Sequence, residues 1–481
     1  MVADVLKITE SKKEIQHLSR AFKSQQKAFQ HNTMPSLETR KEALLRLKRA
    51  LLENQERFIE SINADFSSRS RDETLLAEFM PAIQGINYAL QNLKTWMKPS
   101  VRHASILFRP ADNRIVYQPK GVVGVIVPWN YPLNLAVGPL TAALAAGNRV
   151  MIKMSEYTPK TSRLFQEMIA NTFTEDLVCV INGEADVAAE FTRLPFNHLL
   201  FTGSTTVGKL VMKAAAENLT PVTLELGGKS PAIVSEDVPL KDAAERIAFG
   251  KAFNAGQTCI APDYVLCPQN RLDAFVDEFR AQFQKLYPSL KDNPDYTAII
   301  NDRQLQRLRS YLSDAEAKGA TIIPMNPANE DFSRGTRKLP LHLVLGATAD
   351  MKVMQDEIFG PILPIIPYGT EDEAIRFINN RPSPLALYYF GYQKRAQKRI
   401  LEKTHAGGVC VNDTLVHFAQ DDMPFGGVGE SGMGHYHGEE GFHAFSHAKS
   451  VHTKGRFNSG KMIFPPHGTV LHQLVYKLFI R

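Results

Sequence analysis

After Ser36, Leu44, Leu47, Leu51 and Phe58 recur at helical spacing within a highly charged stretch, and a second segment of the same period runs from Thr74 to Trp96. Ser36 stands where a hydroxyl caps a helix start. The first hundred residues are therefore predicted to be helical. At Ile106 the pattern changes: ILFRPADNRIVYQPKG carries two extended runs around a Pro and Asp-Asn turn, which predicts a projecting hairpin over 106–119.

Beyond it, apolar runs and helix-like segments alternate. VVGVIV (122–127) precedes LNLAVGPLTAALAAG, then come VMIKM, a helix from Pro159 to Phe173, LVCVI, HLLF (198–201), a helix from about Thr205, and VTLEL. Strands apolar on both faces and separated by helices predict a parallel sheet covered on each side, the architecture of a dinucleotide domain. From about Ser230 a second series follows, with YVLC, LHLVLG, PILPII and VCVN as strands and amphipathic helices such as LDAFVDEFRAQFQKL between them. The expected fold is α/β, with a Rossmann-like parallel-sheet domain and a second α/β domain.

Composition narrows the function. With 44% hydrophobic and 22% charged residues in 481, the chain matches a globular protein of two or three domains, and no run approaches the roughly 20 apolar residues of a membrane span. TVLHQLVYKLFI near the end is short and interrupted by His472 and Lys477. The N-terminus lacks a secretion signal, so a cytoplasmic protein is expected. Four cysteines make no disulfide scaffold, and Cys179, Cys267 and Cys410 lie in strand-like runs as packing thiols. The net charge of +6 is interleaved, and the basic patches RGTRK and HTKGRFNSGK lack aromatic partners, so no nucleic acid and no membrane is expected as a partner.

Two glycine-rich stretches compete for phosphate. GGVGESG matches G-x-G-x-x-G by spacing, but DDMPF before it and MGHYHG after it are not a strand and a helix, so it reads as a flexible loop. HLLFTGSTTVGKL is better placed, because GSTTVG, from Gly203 and Ser204 to Gly208, lies where a strand gives way to a helix whose first amides face outward. A helix start with no ligand explains it equally well. Glu156 in IKMSE stands at a strand end where a carboxylate accepts from ribose hydroxyls, and Lys153 could steady the ribose; an exposed ion pair is the plainer reading.

Cys259 differs from the other cysteines. FNAGQTCIAP sets it among small, polar and turn-forming residues, open to attack chemistry. Glu225 ends the run VTLEL just before two glycines, as suits a general base on water. In PWNYP, Asn130 carries an amide able to donate to an oxyanion. Singly, these residues are a capping Asn, a surface Glu and an exposed Cys; together they are a donor, a base and a nucleophile.

PWNYP, FTGSTTVG, LELGGKSP, FNAGQTCIAP, EIFGP and PFGGVGESGMG, in this order, resemble the aldehyde dehydrogenase superfamily along nearly the whole chain, and CIAPDYVL, NPDYTAIIND and YHGEEGFHAFSHAK resemble its class 3 branch. The resemblance implies oxidation of an aldehyde to the acid with NAD, NADP being possible. Cys259 would attack the aldehyde carbon, Asn130 and the Cys259 amide would hold the oxyanion, hydride would pass to the nicotinamide, and Glu225 would activate water against the thioester. Trp129, Lys153, Glu156 and the Gly203, Ser204, Gly208 turn would hold the adenosine and pyrophosphate half, Glu357 the nicotinamide ribose, and Phe359 would pack near the ring. Met154 departs from the proline usual there, while Glu156 favours NAD by repelling a 2′-phosphate.

The resemblance also implies domains: residues 1–105 and 120–228 for the dinucleotide, 229–412 for catalysis, 106–119 and 413–465 as a small β oligomerisation arm with a substrate-lining segment, and 466–481 as a tail. A homodimer is expected, acting on an aromatic, coniferaldehyde-like substrate before medium-chain aliphatic ones. Tyr131, Thr258, Ile260 and the segment from Val416 to Phe418 are the tunnel candidates. No metal is expected: His435, His437, His443 and His447 with Glu439 and Glu440 could suggest one, but Gly438 and Gly441 weaken a continuous helix there, and structural zinc needs four converging ligands. A cofactor-independent cysteine hydrolase and a non-catalytic scaffold are the competing readings.

Overall fold

A computed structural model describes residues 2–480 of the chain. The N-terminal part is helical as predicted: Val2–His31, Leu37–Glu53, Gln55–Phe66 and Met80–Trp96 are helices. Ser36 caps the second, its hydroxyl accepting from the Thr39 amide at 3.2 Å. Leu44, Leu47 and Leu51 are fully buried on its inner face, and each such side chain contributes roughly 1.5–3 kcal/mol. Phe58 lies on the next helix, beyond a break at Asn54.

Six strands form the first sheet, in the order Gly432–Met433, Val222–Leu226, His198–Gly203, Val122–Ile126, Arg149–Lys153, Val178–Ile181. All pairs are parallel except the short first strand, which comes from far along the chain. Val122–Ile126 is buried throughout, because helices cover both faces. The helix Asn134–Ala146, apolar on every side, is buried at all but one of its positions and forms the centre of the core.

The second sheet has seven strands, in the order Thr321–Met325, Leu341–Leu345, Ile362–Tyr368, Tyr264–Pro268, Pro231–Val234, Ala386–Phe390, Gly408–Val411, all parallel but the first pair. A third sheet joins Ser100–Arg102, Ala111–Pro119 and Ser446–Lys454, each antiparallel to its neighbour. Here the expected hairpin differs. Ile106–Phe108 is a single tight turn, and the outer strand is Ser100–Arg102. Pro110 has no amide to extend a ladder backward, and Arg109 folds back to donate from Nε to the Ala104 carbonyl at 3.1 Å, so the first run curls up.

The GGVGESG stretch is a packed element and not the flexible loop expected. Gly432 pairs with Glu225 across the sheet edge, and a Cβ on Gly427 would lie 1.9 Å from the Ser431 carbonyl oxygen. Gly426, Gly427 and Gly432 serve close backbone packing, which the sequence pattern alone does not distinguish from phosphate binding. Among the described residues, no helix is long and apolar enough to cross a membrane. The tail helix Val470–Phe479 buries His472 and leaves Leu474 and Leu478 exposed.

Candidate active site

The segment 128–130 follows the strand Val122–Ile126, whose neighbours Arg149–Lys153 and His198–Gly203 continue the sheet in opposite directions along the chain. Such a reversal opens a crevice beyond the strand ends. A cleft of about 530 Å³ occupies it, lined by Trp129, Asn130, Gly203, Ser204, Glu225, Cys259, Glu357 and Phe359 among others. Eight of the eleven residues singled out in the sequence thus share one cleft. Lys153, Glu156 and Gly208 are not on its wall.

The loop that presents Cys259 is held in a demanding shape. Asn254 and Ala255 adopt φ of 50° and 51°, and Gly256 a φ of 70° with no room for a Cβ, which would sit 2.5 Å from the Gly360 carbonyl oxygen. Gln257 locks the turn: its Nε2 donates to the carbonyls of Asn254 and Ala298, both at 3.0 Å, and its Oε1 accepts from the Ile300 amide at 3.0 Å. The Asn254 amide donates to buried Glu73 at 3.0 Å. Cys259 is left partly exposed, whereas Cys179, Cys267 and Cys410 are buried. Burial chiefly, then the charges of Glu357 and Glu225, pushes the Cys259 thiol up to about 12. Its thiolate needs a positive charge brought to it.

Asn130 is built in from three sides. Its Nδ2 donates to the Gln257 carbonyl at 3.2 Å, which leaves one amide hydrogen over, and its own carbonyl accepts from Arg69 Nη1 at 2.9 Å and Asn254 Nδ2 at 3.2 Å. Arg69 also pairs with Glu78 at 3.2 Å, both side chains wholly buried, and its guanidinium lies 4.9 Å from the ring centres of Phe66 and Tyr131. Glu78 in turn accepts from the amides of Leu133 and Asn134 at 2.9 Å, at the positive end of the helix Asn134–Ala146.

Glu225 stands at the end of its strand, 3% exposed, and neither carboxyl oxygen has a hydrogen-bond partner in the protein. Burial raises its pKa well above the ordinary value. An unpaired buried carboxyl is costly to folding and is the kind of group found at functional sites. Glu357 is raised to about 8, mainly by burial and then by Asp263. A Cβ on Gly227 would lie 2.0 Å from Glu357 Oε2, so the glycine gives that carboxyl its seat. Phe359, at φ 48°, sets its ring edge-on to Trp129 with centres 5.2 Å apart.

The cofactor side suits a dinucleotide. Ser204 caps the helix Thr205–Ala216, and Thr205 and Thr206 bring the helix start to the cleft wall, where free amides favour a phosphate. Gly208 lies inside that helix and against the next strand: its Cβ would be 2.6 Å from Leu226 Cδ2. It fixes how closely helix and sheet pack. Lys153 is buried and donates to the Met154 carbonyl at 2.7 Å, while Glu156 is exposed; burial lowers the Lys153 pKa.

Sequence reasoning missed the support. Arg69, Glu73, Glu78 and Gln257 make the loops rigid, yet each is an ordinary polar residue in a helical or turn pattern. Arg307, on the cleft wall, donates to the Ile358 carbonyl at 2.7 Å and so props the segment bearing Glu357 and Phe359. Of the tunnel candidates, Tyr131 and Thr258 share a hydroxyl hydrogen bond of 2.6 Å, Ile260 is in the core, and Phe418 packs on Phe425 and His437 with ring centres 4.9 Å away. The histidines do not gather: His437 is stacked on Phe425, His443 lies on Tyr117 at the end of the short helix Gly438–Ala444, and His447 belongs to a strand.

The aldehyde dehydrogenase family model matches residues 4–451, and the chain belongs to that family. Over its full length the chain is 60% identical to a Pseudomonas aeruginosa protein named probable coniferyl aldehyde dehydrogenase, covering 100% of both chains. It is 46% identical to the coniferyl aldehyde dehydrogenase of Pseudomonas sp. strain HR199, across 96% of each. The substrate-bound state of Staphylococcus aureus AldH superposes with a TM-score of 0.91 at 38% identity, covering 96% of this chain and 99% of that one. The protein is an enzyme that oxidises an aldehyde with a nicotinamide dinucleotide.

Proposed function

We propose that the substrate is an aromatic aldehyde of the coniferyl type and that Cys259, Glu225 and Asn130 carry its oxidation. Sγ of Cys259, its proton passed to solvent, bonds to the carbonyl carbon as the π pair moves to oxygen, and the spare Asn130 amide hydrogen and the Cys259 backbone amide receive that oxyanion. A bound dinucleotide would supply the two-electron acceptor; as the oxyanion's pair returns, the carbon gives up its hydride and the thioester remains. Glu225 then takes a proton from the water that attacks the thioester carbon, and the sulfur leaves as the acid forms. An unpaired carboxyl and a partly exposed thiol on one cleft, facing a helix start, is the observation that carries this reading. A cofactor-independent hydrolase would leave the helix start and the Glu357 seat without a task.

Trp129, Gly203 and Ser204 are assigned to the adenosine and pyrophosphate half, with Lys153 and Glu156 at the ribose and Gly208 setting the helix behind them. Glu357 and Phe359 are assigned to the nicotinamide half. Glu156, exposed at its strand end, supports NAD over NADP. The two sheets correspond to the cofactor and catalytic domains, and the three-stranded sheet supports the arm of a homodimer. Four unpaired thiols suit the cytoplasm.

The aromatic substrate rests on the two coniferyl-type relatives and on the cluster of Phe418, Phe425, Tyr436 and His437. A panel of aldehydes compared by kcat/KM, followed at the reduced-nicotinamide band, tests it. Coniferaldehyde is expected to lead. Strong turnover of hexanal beside none of coniferaldehyde would overturn the assignment.

A further inference from the structure

The helix Val2–His31 packs on the strands Arg149–Lys153 and Val178–Ile181 at the edge of the first sheet. It is tied to the former strand and to the turn before the latter: Gln25 Nε2 donates to the carbonyls of Val150 and Glu175 at 3.0 Å, and Arg149 Nη2 to the Ala28 carbonyl at 3.1 Å. Leu18, Ala21 and Phe22 are buried beneath. Between the tied elements lies a mixed donor set. His17 Nε2 is 2.5 Å from Glu175 Oε1, and one donor atom from each of His17, Glu175 and Cys179 lies within 4.8 Å of the others. Among the described residues this is the one such group of three.

Its surroundings match what a transition metal needs. Cys179 is 4% exposed, so its sulfur is shielded from oxidants and other thiols, while Glu175 is exposed and leaves a path from solvent. On the other side of the imidazole, Glu14 Oε2 is 3.7 Å from His17 Nδ1 and is buried without a hydrogen-bond partner. A carboxylate behind a ligating histidine fixes its tautomer and leaves the far nitrogen free to bind. Nitrogen, thiolate and carboxylate together select a borderline-soft cation over Mg²⁺ or Ca²⁺, which take oxygen.

We propose that His17 Nε2, Cys179 Sγ and a Glu175 carboxylate oxygen form a site for a divalent cation of the zinc or cobalt type, with water as fourth ligand and Glu14 as the positioning residue behind His17. Neither the cleft nor the aldehyde chemistry accounts for these residues. On binding, the thiol proton passes to solvent as the sulfur–metal bond forms, and Nδ1–H stays on His17, donated to Glu14. The donors of a tetrahedral zinc site lie about 3.3–3.8 Å apart, within reach of a small swing of the Glu175 side chain. The metal would clamp the N-terminal helix to the sheet edge.

Co²⁺ added to the untagged full-length chain tests this, in a Cys259→Ala background so that the catalytic thiol cannot bind the metal. One equivalent per chain is expected to give a thiolate-to-cobalt band in the near ultraviolet and the intense visible absorption of four-coordinate cobalt. Cys179→Val should abolish the thiolate band, His17→Gln should weaken binding on the order of 100-fold, and Glu14→Gln about 10-fold. Zn²⁺ should raise the melting midpoint of the background protein and not that of His17→Gln. No thiolate band, a band that survives Cys179→Val, or an equal Zn²⁺ shift in His17→Gln overturns the site. Should Cys179→Val fail to fold in metal-free melts, Glu175→Gln on the exposed rim decides: cobalt affinity unchanged by it refutes the proposal.

Discussion

Cys259 is the one cysteine of four with access to solvent, and its thiol is held far above neutrality by burial and two neighbouring carboxyls. Under native conditions, iodoacetamide followed by peptide mass spectrometry should mark Cys259 alone, faster as pH rises. Labelling of Cys267 or Cys410 first would contradict the burial pattern. On the assignment proposed above, Glu225→Gln removes the base but leaves nucleophile and oxyanion donors, so a rapid-mixing experiment should show a burst of about one reduced cofactor per site followed by turnover slowed about 10²–10⁴-fold. Glu357 offers a test through stability. Its folded pKa, about 8, exceeds the ordinary 4.5, so ionisation in the folded state is penalised progressively from about 4.5 up to about 8. Glu357→Gln removes that penalty, and its melting midpoint should gain on the parent's as pH is raised from about 5 to 9. A gap that narrows instead would reverse the sign.

At the scale of elements, the loops around the cleft are set by partners remote in sequence. Arg69 and Glu78 are both wholly buried, so Arg69→Met strands a buried carboxylate and should cost about 3–5 kcal/mol in chemical denaturation. Adding Glu78→Gln should recover part of it; a double variant worse than the single would show that the ion pair is not the cause. Gly427→Ala forces a Cβ onto the Ser431 carbonyl and should shift the strand that pairs Gly432 with Glu225, lowering kcat more than KM. The strands and helices of both sheets were legible because fully buried strands and helical stripes leave strong periodic signals, and Ser36 because a cap is a local event. The Ile106–Phe108 turn, the packing of GGVGESG and the roles of Arg69, Glu73, Glu78 and Gln257 were not. Each is decided by a contact with a distant segment, and nothing in the local pattern records it. Cys259, Glu225 and Asn130, to which the chemistry is assigned above, stand out in the sequence for the opposite reason, as groups with no local structural use, and at Gly208 the pattern does not distinguish close packing on Leu226 from phosphate binding, since both require a missing side chain.

For the whole molecule, the three-stranded sheet joins residues near 100 to residues near 450, and an open sheet edge is a template for pairing with a second chain. Sedimentation equilibrium should give twice the chain mass of 53.8 kDa, and a monomer at micromolar concentration would remove the arm's proposed role. The same long-range closure holds the wall of the cleft. The strand bearing Glu225 is bordered on one side by Gly432 and Met433, about two hundred residues further along the chain. The seat of the carboxyl proposed as the base is thus completed by a segment remote from it, so a change that loosens that short strand is felt at Glu225 while the loop of Cys259, held by Gln257, keeps its shape.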